Sequence, residues 1–132
     1  MSTPDLIQRY YAAFNAKAWP AMLACVSDTI HHDVNEGAVR GGKEKFAAFL
    51  AHMDVCYDER LVDIVVMVSP DGQRAAAEFI VEGVYKATDG DLPPAHGQAY
   101  RLPAGAFFSI AEGLVTRVTT YYNLKNWIAL VS

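Results

Sequence analysis

The chain has 132 residues, 52% of them apolar and 20% charged, which suits one folded domain over residues 1–132 and excludes a disordered tail. Eleven basic residues against fifteen acidic ones leave a net charge of −4, which points away from nucleic acid as a partner. No apolar run approaches the roughly 20 residues that a membrane-spanning helix needs, and two cysteines, Cys25 and Cys56, are too few for a disulfide scaffold.

The N-terminus carries neither a basic stretch nor a hydrophobic signal core, so the expectation is a soluble cytoplasmic domain. Thr3-Pro4-Asp5 reads as a helix start, with a hydroxyl to cap, a proline for the first turn and an acid at the positive end of the dipole. Leu6, Ile7, Tyr10, Tyr11 and Phe14 then recur at helical spacing, and Asn15-Ala16-Lys17 ends the stripe. Trp19-Pro20 opens a short second helix through Met22, Leu23, Cys25 and Val26, ending near Ser27-Asp28. Residues 29–35 read as a short strand with a turn at Glu36-Gly37. After Gly41-Gly42 the spacing of Phe46, Phe49, Leu50 and Met53 predicts a third helix.

Beyond residue 60 the period becomes two and β-branched residues dominate. Leu61 to Val68 is a strand, Ser69-Pro70-Asp71-Gly72 a turn, and Gln73 to Thr88 a long strand with Ala75, Ala77, Phe79, Val81 and Tyr85 on one side. Asp89 to Gly97, with Pro93-Pro94, must leave the sheet. It is either an ordinary surface loop or a cover over a pocket, with His96 as a polar contact. Ala99 to Ile110 and Leu114 to Leu124 form a hairpin about Ala111-Glu112-Gly113. Trp127 and Ile128 pack the end of the chain back onto the sheet. Helices followed by a meandering sheet define an α+β fold.

No phosphate loop, nucleophile elbow or paired-cysteine metal spacing occurs. His31 and His32 are adjacent on a strand and so point to opposite faces, which is poor chelating geometry. No metal and no cofactor are expected. Asp33 would be a base if burial raised its proton affinity; otherwise it caps a turn or faces water. Tyr10 lies on the core-facing stripe of the first helix, either as a core phenol or as a donor to a developing oxyanion. Glu78 and Glu82 share a strand face, as do Arg117, Thr119, Tyr121 and Asn123. Alternation alone does not say which faces line a pocket.

Gln8-Arg9-Tyr10-Tyr11-Ala12-Ala13-Phe14-Asn15, the run from Asp33 through Arg40-Gly41-Gly42, and Tyr121-Tyr122-Asn123 resemble the ketosteroid isomerase-related proteins. These belong to the nuclear transport factor 2-like superfamily, which also holds the SnoaL-like polyketide cyclases. The resemblance covers nearly the whole chain. It implies a cone: a curved, mostly antiparallel sheet with three helices of the N-terminal half over its concave face. It also implies a homodimer joined through the outer sheet face.

Ketosteroid isomerase uses an Asp base with an oxyanion hole of one Tyr and one protonated Asp. By position, the resemblance carries the base to Asp33 and the phenol to Tyr10. The protonated Asp falls near Gly105 or Ala106, which carry no donor, and losing one such donor costs about 2.7–4 kcal/mol of transition-state stabilisation. His52, Tyr57, Tyr100 and Asn123 are the candidate substitutes. Late in the chain, where SnoaL-like cyclases place an acid, Asn123 stands. The expected reading is an isomerase, or a related lyase or cyclase, acting on a small, largely apolar carbonyl compound. Asp33 and Tyr10 would be catalytic, with Phe14, His32, Phe49, His52, Tyr57, Phe79, Tyr100, Phe107 and Asn123 around the substrate. The alternative is a binding or dimeric interaction module that kept the cone without the chemistry.

Overall fold

The computed structural model describes residues 2–34 and 39–132. The turn expected at Glu36-Gly37 lies outside the described residues. Helix α1 (Thr3–Asn15) is capped by Ser2, one residue earlier than the sequence suggested; its hydroxyl accepts from the Asp5 N–H. Thr3 instead donates to the Gly72 carbonyl at 2.7 Å and ties the helix start to a hairpin turn. Helix α2 (Trp19–Leu23) is shorter than expected, because Val26 already opens strand β1 (Val26–Val34). A three-residue strand β2 (Val39–Gly41) precedes helix α3 (Lys43–Cys56).

Strand β3 (Tyr57–Val68) follows α3 with no loop, four residues earlier than its β-branched run announces. Strands β4 (Arg74–Tyr85), β5 (Ala99–Ala111) and β6 (Leu114–Tyr122) complete the meander. A fourth helix, α4 (Leu124–Val131), closes the chain where only packing was expected. Asn123 caps it, accepting from the Asn126 N–H at 3.0 Å.

The six strands form one sheet in the order β2-β1-β6-β5-β4-β3. Every neighbouring pair is antiparallel except β1 with β6, which run parallel. In β3 the register slips between Val62 and Val65, and Asp63 takes a positive φ of 54°. This bulge switches the inward residues from Tyr57, Glu59 and Leu61 to Ile64, Val66 and Val68, and a bulge bends the strand that carries it.

Residues directly opposite on paired strands share a face, so the rows across the sheet sort inside from outside. His32, Val118, Phe108 and Ala75 make one inner row, with Phe108 and Val118 almost fully buried. Asp33, Thr119, Phe107, Ala76 and Met67 make the adjacent outer row. Helix α1 is locked over the inner face by Asn15, whose amide both donates to the Leu61 carbonyl at 2.9 Å and accepts its N–H at 2.8 Å.

Candidate functional site

A cavity of about 330 Å³ lies between the inner face of the sheet and helices α1, α3 and α4. That is the small end of the ~300–1,000 Å³ typical of small-molecule sites. Tyr10, Tyr11 and Phe14 of α1 meet Phe46, Phe49, Leu50 and Met53 of α3 around it, with Phe79, Val81 and Leu102 of the sheet below. Helix spacing and strand alternation explain the apolar lining: each element turns one stripe inward, and those stripes do not fill the space between them.

One carboxylate stands in this lining from the sheet. Glu59 shares the inner face of β3 with Tyr57 and Leu61, and its cross-strand neighbours are Gly83 on β4 and then Tyr100 on β5. Tyr100 donates to Glu59 Oε2 at 2.5 Å, two strands away. It reaches because Gly83 has no side chain: a Cβ there would lie 2.4 Å from the Tyr100 ring. Burial pushes the Glu59 proton affinity up; the Tyr100 hydrogen bond and the Lys17 charge work against that push. Lys17 is held nearby, donating to the Glu59 carbonyl at 2.7 Å and pairing with Asp58 at 3.1 Å. Glu59 also borders a shallow surface groove with Asn15, Lys17 and Arg101, so the carboxyl lies between cavity and exterior.

His32 is the second titratable group of the lining. Its ring is 3% exposed and sits against Phe46 and Phe49 at 4.7 and 4.5 Å between centroids. Its Nδ1 is buried without a hydrogen-bond partner among the described residues. Burial, with Arg40 nearby, lowers its pKa to about 4, so the imidazole is neutral at physiological pH. Arg40 itself lines the cavity and lies over the Phe49 ring at 4.6 Å.

A third polar group sits where the Asp89 loop meets the end of α3. Asp89 accepts from the Tyr57 hydroxyl through Oδ2 at 2.7 Å, and its Oδ1 lies 2.7 Å from His52 Nε2. Both Asp89 and Leu92 border the cavity, so the loop does contribute to its wall. Trp127 of α4 packs edge-on against Tyr57, Tyr85 and Tyr100 and closes this side.

The structure brings Tyr10, Phe14, His32, Phe49, Tyr57 and Phe79 together around the cavity. Five other expected residues stand elsewhere. Asp33 is absent from the lining, which takes His32 and Val34 from either side of it; alternation turns its carboxylate to the outer row beside Thr119. The geometric support for Asp33 as base is thereby lost. Phe107 is 51% exposed on that same row and meets Tyr121 edge-on at 5.7 Å. Asn123 is spent on capping α4, and His52 reaches Asp89 rather than the cavity. Tyr100 acts through Glu59 and does not line the cavity.

Glu59, Asp89, Tyr11 and Tyr122 also line the cavity, although the sequence did not single them out as site residues. The signal for Glu59 was the alternation Tyr57, Glu59, Leu61, an acid on an apolar strand face, hidden because the strand was started at Leu61. At Gly105 and Ala106 the absence of a donor stands: Ala106 is buried, and a Cβ on Gly105 would meet the Ala77 carbonyl at 3.0 Å.

This chain belongs to the SnoaL-like family, whose domain matches residues 7–118. Its structure is similar to that of a candidate polyketide cyclase of Pseudomonas putida KT2440, with a TM-score of 0.99 and 55% identity over 100% of this chain and 99% of that one. A candidate polyketide cyclase of Silicibacter sp. TM1040 is 57% identical over 99% of this chain and 96% of that one, with a TM-score of 0.97. An epoxide hydrolase-like protein of M. tuberculosis, 11% identical over 98% of this chain and 84% of that one, shares the fold at a TM-score of 0.73. No curated protein sequence matches this chain.

Proposed function

We propose that the chain is a proton-transfer enzyme, an isomerase or a cyclase, acting on a small, largely apolar carbonyl compound held in the cavity, with Glu59 as the base. The observation that carries this reading is a single glutamate, anchored on one oxygen by a phenol and raised in proton affinity by burial, in a cavity wall made mostly of aromatic and apolar side chains. Such a carboxylate is a better base than one in water and needs no large change of solvation as it takes a proton. The similarity to candidate polyketide cyclases agrees with carbonyl chemistry.

In the reaction, Glu59 removes the proton from the carbon beside the carbonyl, and the electron pair passes to the carbonyl oxygen. Tyr10, whose phenol burial keeps protonated, lines the same cavity and donates to that oxygen. In an isomerase the protonated Glu59 returns its proton to a different carbon. In a cyclase the enolate carbon attacks a second carbonyl, and the proton goes to the new alkoxide.

Solvent deuterium exchange tests this. Small cyclic ketones incubated in D₂O should exchange their α-hydrogens with the wild-type protein and with Asp33→Asn, and lose that exchange with Glu59→Gln. Exchange that survives Glu59→Gln removes the base assignment. Ligand binding of equal strength in both proteins, with no exchange, makes the chain a binding module instead.

The homodimer implied by the resemblance is part of the same proposal. Val65, Met67, Phe107 and Tyr121 are all exposed on the outer face, an apolar patch suited to a second copy. Light scattering that finds a monomer at micromolar concentration removes it.

A further inference from the structure

Outside the proposed base, one cluster of side chains has a donor set with no role in proton transfer. His52 and Cys56 stand four residues apart on α3, one turn above the other on a single face. The loop after β4 brings Asp89 to them. His52 Nε2 lies 2.7 Å from Asp89 Oδ1 and 3.9 Å from Cys56 Sγ, and the three donor atoms all lie within 4.8 Å of one another. We propose that His52, Cys56 and Asp89 form a binding site for a borderline-soft divalent transition ion of the zinc type.

Three features favour a built site over a chance meeting of side chains. First, the backbone fixes it: the Cys56 carbonyl accepts from the N–H groups of Lys86 and Ala87 at 2.7 and 3.3 Å, which pins the start of the loop to the end of α3. The Asp89 N–H donates to the Tyr85 hydroxyl at 3.0 Å, which places the carboxylate itself. Second, the carboxylate is oriented from behind. Tyr57 holds Oδ2 at 2.7 Å and leaves Oδ1 toward the histidine, the outer-shell arrangement that sets a ligating carboxylate. Third, the donor types agree with one ion class. One imidazole nitrogen, one thiolate and one carboxylate suit zinc, whereas magnesium and calcium take oxygen ligands.

Charge and distance are consistent with this. A thiolate and a carboxylate together neutralise a divalent ion, and Cys56 gives up its thiol proton to the buffer as the ion enters. Around a tetrahedral ion with ordinary bond lengths, nitrogen and oxygen ligands stand roughly 3.3 Å apart and nitrogen and sulfur roughly 3.5 Å. His52 and Asp89 would separate by about 0.6 Å, and His52 and Cys56 would close by about 0.4 Å, shifts within side-chain reach. Three protein ligands leave a fourth position open, as in sites where zinc acts on a substrate rather than only holding a fold. Asp89 and Tyr57 also line the cavity, so an ion there would sit at its edge. The sequence pointed away from metal because His31-His32 is poor chelating geometry and the convergence of His52 with other ligands is not visible in it; the cluster that forms joins His52 to Cys56 and Asp89 and needs the loop to close.

The test is cobalt substitution on the full chain, stripped with chelator and kept reduced. One equivalent of Co²⁺ should produce a thiolate-to-cobalt charge-transfer band, displaced by Zn²⁺ but not by Mg²⁺. Cys56→Ser should abolish the band, while Cys25→Ser should leave it unchanged. His52→Ala and Asp89→Asn should weaken binding at least tenfold, and Tyr57→Phe by about 10–100-fold through loss of orientation. Circular dichroism checks that each variant is folded. Absence of the band in the wild type, or its survival in Cys56→Ser, overturns the proposal. The site does not depend on Glu59 being the base, and Glu59→Gln should bind cobalt normally.

Discussion

Tyr100 reaches across Gly83 to donate a 2.5 Å hydrogen bond to Glu59, joining β5 to β3 over a strand that has no side chain between them. Strands stand about 4.8 Å apart, so the phenol spans two strand spacings along one cross-sheet row. The hydrogen bond holds one oxygen of a carboxylate set between cavity and exterior, and it tempers the rise in proton affinity that burial causes.

Replacing Tyr100 by Phe removes that tempering. The Glu59 proton affinity should then rise further, because the hydrogen bond favours the charged form. The ascending limb of the kcat/KM–pH profile should move to higher pH while the cavity keeps its shape. A profile that stays in place would show that Glu59 does not control the rate.

Gly83→Ala tests the crossing itself. The new methyl would fall 2.4 Å from the Tyr100 ring, so ring or strand must move. Overpacking of this kind costs about 1–3 kcal/mol, readable as a lower midpoint in urea. The same variant should reproduce the alkaline shift of Tyr100→Phe, since the phenol no longer reaches the acid.

Glu59→Gln should lower turnover by about 10²–10⁴-fold, the usual contribution of a positioned base. Its effect on stability has the opposite sign. A carboxyl whose folded pKa lies above its unfolded value contributes most stability below the unfolded pKa, and loses that contribution as pH rises through the folded pKa. As pH rises through its folded pKa the wild type takes on a buried charge that the amide does not. The variant should therefore lose less stability than the wild type as pH rises, and chemical denaturation across a pH series checks this.

His32 sets an acid limit. Its pKa falls from 6.5 to about 4 on folding, so between those values the unfolded chain binds a proton that the folded chain refuses. Stability from this group is present above pH 6.5 and is lost as pH drops toward 4, by about 3 kcal/mol in all. In His32→Phe the pH dependence of unfolding across that window should flatten. An unchanged slope would locate acid sensitivity elsewhere.

Local pattern sufficed for much of the architecture. The stripe Leu6, Ile7, Tyr10, Tyr11 and Phe14 made α1, and the alternation from Ala75 to Tyr85 made β4 with the inward residues as expected. Such periods are legible because each residue's direction follows from its neighbours in the chain. Asp33 shows the limit of that reasoning. Its flanks were read correctly as strand, but which face of the strand met the cavity depended on pairing with β6, some 86 residues away. A shift of one position exchanges every inward side chain for an outward one.

What the amino-acid order determined by itself was therefore the α+β class, the apolar stripes and the placement of Tyr10. Only the tertiary structure decided the surroundings of Glu59 and the meeting of His52, Cys56 and Asp89. Glu59 becomes basic through burial beneath distant elements, Tyr100 finds it across an intervening glycine, and Asp89 meets His52 when a loop folds back 37 residues along the chain. Solvation and through-space contact are properties of the packed whole, so no window of sequence contains them.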